Sequence, residues 1–444
     1  MARNELYESI ISKKLELDCL GMQLKQCCDN SPLIIDGTGF IKQSSDGHIS
    51  FKLLYDGKSD ESIFNKLQYL HSLPAGSLLP TEHFFDLTAE DFHGYQWKAS
   101  KIHIDPDIHV SNNTAVIKGK IENLILEETS NAEKTPFCRV MVEGDYRLPW
   151  NKFRDQSGGG SRLSEIELKV DDIDINLFND SNTLNISFSS SGLVNIEKYR
   201  EYFIQALSIL LGKQPSILYE IDRVNGLTKT KVYSNRHYVD GKLESPIKIW
   251  MPYDTESFSE FINSYISHAI EHDGLDTLFG YWHKIYLVSN STVQASALAC
   301  GVSIEGLVNK YFNQLFPIPD SEMEPLKDAM TTLKDLDIDQ VVKDKLKSSL
   351  GNFKTKSPKR VLFELCESIE INSDLVKTWS KLRNKSAHAD DLDMDQQQFE
   401  EYFLQYRSCL YLFYRLLFQI IEYKGSCIDY TVSGCPEIPA GKNA

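Results

Sequence analysis

The chain has 444 residues, 41% of them hydrophobic and 25% charged, and its 47 basic and 63 acidic residues give a formal net charge of −16. This composition excludes a mostly disordered or collagen-like chain, and the length predicts two or three domains. The negative charge argues against indiscriminate binding to long nucleic acid. A local basic groove stays compatible with it, because screening limits electrostatic fields to about 8–10 Å at cellular salt.

The cysteines and the apolar segments indicate the cellular compartment. Nine cysteines are scattered along the chain without a CxxC pair or zinc-finger spacing, which favours reduced thiols. No stretch approaches about 18 uncharged apolar residues, so the sequence predicts no membrane-spanning helix. We therefore expect a cytoplasmic protein that has no membrane partner.

The first half of the chain carries strand patterns. Apolar residues at near-helical spacing first predict an N-terminal helical segment over residues 1–29. Residues 30–250 then alternate apolar and polar side chains in short runs, which predicts a β-rich sensing or regulatory domain. Its clearest predicted strands are 48–55, 114–121, 137–143, 165–170 and 183–188. A glycine-rich stretch predicts a flexible loop at 154–162, and a helix from 195 to about 211 interrupts the strands.

After residue 252 the apolar spacing becomes helical. Helices are predicted at 257–269, 293–316, 324–333, 340–350, 361–369, 374–383 and 395–423. We expect residues 253–425 to form one all-α domain and residues 426–444 to form a loose C-terminal tail. The predicted fold class is α+β with several domains, in which a β-rich N-terminal region precedes an all-α C-terminal domain.

One short motif matches a zinc signature. In His268-Ala-Ile-Glu-His272 the two histidines share one helical face, where they can chelate a cation beside Glu271 as a base. A catalytic zinc site needs a third ligand from elsewhere in the chain, and so short a pattern often arises by chance. We favour a polar helix face and predict no metal and no cofactor; a metalloprotease is the remote alternative.

The pattern best suited to chemistry is RxxxxH, formed by Arg383 and His388 just before the last predicted helix. A histidine can move protons to and from the 2′-OH and the leaving 5′-oxygen of RNA. An arginine fork can hold and neutralise the reacting phosphate. On an unbroken helix five residues turn about 140° and rise about 7.5 Å, so the two side chains would not share a face. Either the motif lies across a helix end, or a second copy of the chain completes the site.

This segment resembles the RxxxxH signature of HEPN domains, which are all-α modules whose catalytic members are metal-independent ribonucleases acting as dimers. The resemblance covers about residues 253–425 and includes the polar residue after the arginine, Asn384. A β-rich domain before such a module, with a helix carrying Glu305, is similar to ApeA-like anti-phage proteins. The resemblance implies RNA products with a 2′,3′-cyclic phosphate and a 5′-hydroxyl. It also implies an abortive-infection effector with a phage-derived activator.

Glu305 has a physical argument of its own. On an ideal helical wheel it falls within about 60° of Gly301 and Phe312, in a mostly apolar stripe. A carboxylate there is costly unless it is paired, and Arg383 is the natural partner. Glu305 would then position Arg383 or tune His388. The alternative is a residue at the edge of the stripe that reaches solvent.

A local reversal of charge lies at residues 343–360, which contain seven basic residues and one acidic residue. Such a run is more often a solvated face, but it also suits an edge that holds RNA phosphates. The residues predicted to bind RNA are Lys354, Lys356, Lys359, Arg360 and Lys385.

Together these features predict a metal-independent endoribonuclease. Arg383 would stabilise phosphate charge and His388 would be the general acid and base. Asn384 and Glu305 would support them. A homodimer through residues 253–425 is expected, because one chain supplies one histidine for two proton transfers and the last helix has more apolar residues than one stripe requires. The alternative is a catalytically inert HEPN-type module for binding or assembly, with a β-rich domain that recognises a ligand.

Overall fold

The chain divides into two compact units in a computed structural model. The sheet unit comprises Met1–Glu201 with Pro215–Tyr238, and the helical unit comprises Tyr202–Gln214 with Val239–Ala444. The structure describes residues 3–55, 77–105, 109–111, 114–129, 135–155, 160–180, 182–192, 194–235, 241–354, 356–369, 371–387 and 394–440.

The sheet unit is built on one antiparallel sheet, to which the described residues contribute fifteen strands. The strands are β1 (Glu16–Gln26), β2 (Ile34–Gln43), β3 (Ile49–Tyr55), β4 (Phe85–Asp91), β5 (Gln96–Ile102), β6 (His109–Ser111), β7 (Thr114–Ile121), β8 (Asn123–Thr129), β9 (Phe137–Glu143), β10 (Lys152–Asp155), β11 (Ser161–Val170), β12 (Ile173–Asp180), β13 (Thr183–Ser190), β14 (Ile217–Val224) and β15 (Leu227–Tyr233). Their order across the sheet is β10-β11-β12-β13-β9-β14-β15-β8-β5-β4-β1-β2-β3-β7-β6. The coarse fold prediction, a β-rich region followed by helices, is thereby confirmed.

These segments form strands because their apolar and polar side chains alternate. The prediction of a helical segment over residues 1–29 is wrong for the same reason, because part of that range alternates and forms a strand. The helix α1 (Arg3–Ile11) ends early, and β1 begins five residues later. Within β1, Leu17, Cys19 and Leu24 are buried in one hydrophobic cluster with Leu6 of α1. Apolar residues at every second position near the start of β1 fit a strand that buries one face, and a helix would turn half of them to solvent.

The predicted flexible loop at 154–162 is shorter than expected. Strands β10 and β11 pair antiparallel up to Asp155 and Ser161, so both ends of the predicted loop belong to a hairpin. Residues 156–159 lie outside the described residues. Backbone pairing extends the strands into the polar sequence, because a hairpin ladder continues wherever its hydrogen-bonding groups remain opposite one another.

The helical unit follows the predicted pattern with one addition. Its helices, with the one that straddles the division of the chain, are α2 (Ile196–Leu211), α3 (Glu256–Glu271), α4 (Asp276–Val288), α5 (Val293–Leu307), α6 (Asp320–Asp335), α7 (Gln340–Gly351), α8 (Pro358–Ser368), α9 (Asp374–Ala387) and α10 (Gln396–Ile420). The helix α4 was not predicted. No helix within the described ranges has the length and hydropathy required to span a membrane.

Side-chain caps set several of these helix starts. Thr292 accepts a hydrogen bond from the backbone of Ala295 at the start of α5, and Ser357 does the same for α8. Asp395 and Gln398 form a reciprocal capping box on α10. The predicted helix 293–316 is interrupted instead: α5 ends at Leu307 and continues as a π-helical turn, Val308–Phe312.

The helical unit begins before the predicted boundary near residue 250. The end of α2 lies within it, where Gly212 has φ +64° and a carbonyl that accepts a hydrogen bond from the backbone N–H of Leu243. A Cβ on Gly212 would lie 1.9 Å from the carbonyl oxygen of Leu243, so this contact requires glycine. Tyr414 of α10 donates to the carbonyl of Glu244 at 2.7 Å. These contacts attach the chain that precedes α3 to the helices.

The predicted loose tail over residues 426–444 is ordered as far as the structure describes it. Strands β16 (Ser426–Ile428) and β17 (Glu437–Pro439) form a small antiparallel hairpin. Ala440 is fully buried, and its carbonyl accepts a hydrogen bond from the Arg415 guanidinium at 3.1 Å. The tail is held because a buried arginine on α10 needs oxygen partners.

We predict that Arg415→Ala lowers the free energy of unfolding by about 2–4 kcal/mol, because the substitution removes charged hydrogen bonds to Ala440 and to the Tyr411 hydroxyl inside a packed region. Urea denaturation measures the change, and limited proteolysis should show faster cleavage near the C-terminus. Lys424→Ala is the control, because that side chain is exposed and the residue contacts Glu260 through its backbone N–H. Equal stability of the two variants would contradict the prediction.

Candidate active site

The site is organised by two helices that lie side by side, α5 and α9. Trp379 donates its Nε1–H to the carbonyl oxygen of Gly301 at 3.0 Å. One turn later along both helices, the Nη2 group of Arg383 donates to Oε2 of Glu305 at 2.8 Å. The two contacts therefore hold α5 and α9 together over adjacent turns of each helix.

Gly301 permits the close approach of these helices. A Cβ on this residue would lie 3.2 Å from both Cβ and Cγ of Arg383, which is tighter than ordinary van der Waals contact. The aliphatic part of Arg383 therefore packs directly over the backbone of α5, and the guanidinium reaches the next turn. Glu305 lies at that turn, on the helical face shared with Gly301.

The expected partnership of Glu305 and Arg383 is present. The two side chains are 30% and 41% exposed, so water screens the attraction and the pair contributes less than about 1 kcal/mol to stability. The pair instead orients the side chain of Arg383. The guanidinium is planar and has five N–H donors, so a hydrogen bond from one of them fixes the orientation of the whole group. Within the described ranges the guanidinium of Arg383 makes no other hydrogen bond.

Tyr402 of α10, which the sequence did not reveal as part of the site, lies beside the end of α9. Asn384 and Lys385 are exposed, and the Lys385 ammonium lies 5.7 Å from the ring centroid of Tyr402. The Tyr402 hydroxyl lies within hydrogen-bonding distance of Ser386 Oγ, and burial raises the pKa of this tyrosine. Tyr402 lies four residues before Tyr406 on α10, so the two share a helical face. That spacing was the signal in the sequence that could have placed Tyr402 among the packed residues. Either hydroxyl can be the donor in this contact, which lies beside the motif.

His388, the predicted general acid and base, lies outside the described residues. The described part of α9 ends at Ala387, one residue before it. The prediction for His388 therefore stays a prediction based on its position in the RxxxxH motif.

A cleft of about 740 Å³ opens beside Glu305 and is called the α5–α8 cleft below. Its lining includes Glu305 of α5, Asn309 of the π-helical turn and Asn313, the residue that follows that turn. Residues of α6 and of the chain from the end of α7 to the start of α8 line the rest, including Phe353 and Arg360. The structure thus brings Glu305, the partner of Arg383, and part of the basic run to one cleft.

Two of the predicted RNA-binding residues are already held by carboxylates. Lys356 is buried and forms an ion pair with Glu364. The Arg360 guanidinium makes a two-pronged contact with Glu322, at 2.6 and 2.7 Å, and its hydrogen bonds lower the pKa of that glutamate. The basic run is therefore less positive than its own sequence indicates, because acidic residues of neighbouring helices neutralise it.

The other basic residues of the prediction are available. Lys354 and Lys359 are exposed and take part in no ion pair among the residues that the structure describes. Lys354 follows Phe353 directly, at the border of the α5–α8 cleft. These two lysines remain candidates for phosphate contacts, whereas Lys356 and Arg360 first need to leave their partners.

The HxxEH histidines lie at the end of α3. The rings of His268 and His272 stack with centroids 4.0 Å apart, and Nδ1 of His272 lies 3.0 Å from the carbonyl oxygen of His268. Burial lowers the pKa of His268. In the described part of the chain, no group of three histidine, cysteine, aspartate or glutamate residues is arranged to hold a metal ion.

Comparison with known proteins adds no family to this picture. No protein-family model, no curated protein and no solved structure matches the chain. The functional conclusions below therefore depend on the residues and geometry of the α5–α9 pair and the cleft.

We predict that Trp379→Phe lowers the free energy of unfolding by about 1–3 kcal/mol, because the smaller ring leaves part of the buried site unfilled and the hydrogen bond to Gly301 is lost. Chemical denaturation measures this change. Trp250→Phe is the matched control, because Trp250 is exposed and should lose almost nothing. Equal losses in the two variants would mean that the α5–α9 contact does not depend on this bond.

Proposed function

We propose that the chain is a metal-independent endoribonuclease of HEPN type. The observation that carries the proposal is the Arg383–Glu305 pair, which presents a partly exposed guanidinium beside a cleft large enough for part of a nucleotide. Four donors of the fork are not used by Glu305, and they suit the non-bridging oxygens of a phosphate. The pair thus supports a phosphate-binding role for Arg383 with Glu305 as its positioning residue.

The proposed reaction follows from the motif. His388 takes the proton of a 2′-OH, whose oxygen attacks the adjacent phosphorus as the bond to the 5′-oxygen breaks. The leaving 5′-oxygen receives a proton from a second histidine, and Arg383 neutralises charge on the phosphate in the transition state. The products are a 2′,3′-cyclic phosphate and a 5′-hydroxyl. Asn384, exposed at the end of α9, adds a polar donor near the phosphate.

The two proton transfers favour a homodimer, because each chain supplies one motif histidine. The terminal helix offers a smaller surface than its sequence indicates, since its second half is buried within the chain. Its first half keeps Phe399, Phe403 and Leu404 exposed, at 44%, 38% and 56%, and the two phenylalanine rings stack on each other. This patch lies shortly after the motif in the sequence, which supports dimerisation there.

We assign to the sheet unit the recognition of an activating signal, in an anti-phage role with a phage-derived activator. The sheet unit is a separate compact unit and contains none of the proposed site residues. The second candidate is an inert module for binding or assembly. The carboxylate of Glu305 already occupies part of the Arg383 guanidinium, and a guanidinium that cannot bind phosphate would favour this candidate.

The first prediction of this proposal concerns catalysis. Full-length protein incubated with total RNA in EDTA should cleave it, and His388→Ala should lower the rate by a factor of about 100 to 10,000. Direct labelling of 5′-hydroxyl ends by polynucleotide kinase measures the products. His272→Ala, in the other histidine pair, is the control and should cleave normally. Loss of activity in EDTA, or equal activity of the His388 variant, would reject the mechanism.

The second prediction concerns assembly. Light scattering should give a dimer for the wild type, and Phe403→Glu should give a monomer that no longer cleaves RNA, because a charge replaces an aromatic contact. Val432→Glu, a similar change at another exposed apolar residue, should remain dimeric and active. A wild-type monomer that cleaves at nanomolar concentration would refute the dimer.

A further inference from the structure

We propose that the α5–α8 cleft receives one unstacked base of single-stranded RNA, next to the phosphate bound at Arg383. Phe353 would stack on this base, and the side-chain amides of Asn309 and Asn313 would contact its polar edge. The inference rests on the proposed function, because Glu305 contributes both to the cleft and to the ion pair with Arg383.

The charges around the cleft favour a neutral occupant. Glu305 is paired with Arg383, and Glu322 with Arg360. Lys356 is paired with Glu364. A phosphate placed inside would have to break one of these pairs, whereas a nucleobase carries no charge and leaves them intact. The volume, about 740 Å³, falls within the range of roughly 300–1,000 Å³ that is usual for small-ligand sites.

Phe353 is the feature that selects an aromatic occupant. It lies in the short 3₁₀ turn after α7 and is 67% exposed although it lines the cleft. An exposed ring at the border of a cleft offers a face on which a base can stack, and such stacking is sequence-tolerant. Lys354 follows the ring and is exposed, as is Lys359. These lysines can hold the phosphates on either side of the inserted base.

The π-helical turn supplies the polar contacts. The backbone N–H of Asn313 bonds to the carbonyl of Val308, five residues back, and this wider turn places both Asn309 and Asn313 along the cleft. Segments of this kind occur often at functional sites. A carboxamide offers a donor and an acceptor together, which matches the paired polar groups of a base edge. Bases in a duplex are stacked and paired, so the cleft selects single strands.

Binding of fluorescent 2′-O-methyl oligonucleotides tests the inference, because these probes lack the 2′-OH and cannot be cleaved. Anisotropy should show that wild type prefers single-stranded probes to duplexes and that Phe353→Ala weakens single-strand binding by about 5- to 100-fold. Phe353→Trp should restore affinity. Val341→Ala, an exposed apolar residue of α7 that does not line the cleft, should bind as wild type. Asn309→Ala and Asn313→Ala should reduce the differences in binding affinity among A, C, G and U homopolymers, because these side chains would contact the polar edge of the base.

The outcomes separate this inference from the proposed function. Unchanged binding by Phe353→Ala, or equal losses in Phe353→Ala and Val341→Ala, would overturn the base site even if the protein cleaves RNA. Phe353-dependent binding without any cleavage of natural RNA would support the base site and reject the nuclease. Absence of RNA binding by the wild type would overturn both.

Discussion

The packing of α5 against α9 determines where the motif arginine lies. Trp379 is buried and hydrogen-bonded to the carbonyl of Gly301, and that contact holds α9 against α5. The Arg383–Glu305 pair at that turn is too exposed to fix the helices by its own attraction. Its geometry follows from the buried tryptophan and from the missing side chain at Gly301, which lets the arginine stem lie against α5. Gly301 and Trp379 together therefore position the guanidinium of Arg383.

Ion pairs with acidic residues determine the distribution of charge around the cleft. The basic run around α8 would be strongly positive alone, yet Glu322 of α6 and Glu364 of α8 neutralise two of its cations. In a chain with a net charge of −16, this leaves a small number of exposed lysines as the positive points near the site. Such an arrangement favours specific placement of a few phosphates over broad attraction of RNA, because unpaired charges are local and screened at cellular salt.

The terminal helix α10 contributes to the site and to the stability of the helical unit through different halves. Its first turns carry the exposed ring pair Phe399–Phe403, and Tyr402 there reaches the end of α9. Its second half is buried, and Arg415 within it holds the C-terminal hairpin through Ala440. An apolar surface for a partner is consequently confined to the part of α10 nearest the motif.

Local patterns in the sequence determined most of the helices, five of the described strands and one contact of the site. Period-two alternation was sufficient for strands such as β3 and β7, and the polar residues before α10 predicted its start at Asp395. The pairing of Glu305 with Arg383 could be predicted because a carboxylate in an apolar stripe requires a cation, and the motif supplied one.

Only the tertiary structure decided the strand at β1, the ordered tail, and the partners of Lys356 and Arg360. In each case the deciding group lies elsewhere in the fold: a sheet face for β1, Arg415 for the tail, and Glu322 for Arg360. A sequence shows which residues require burial or a partner. The distant residue that provides the burial or the partner depends on how the helices and strands pack, and the local sequence does not contain that information.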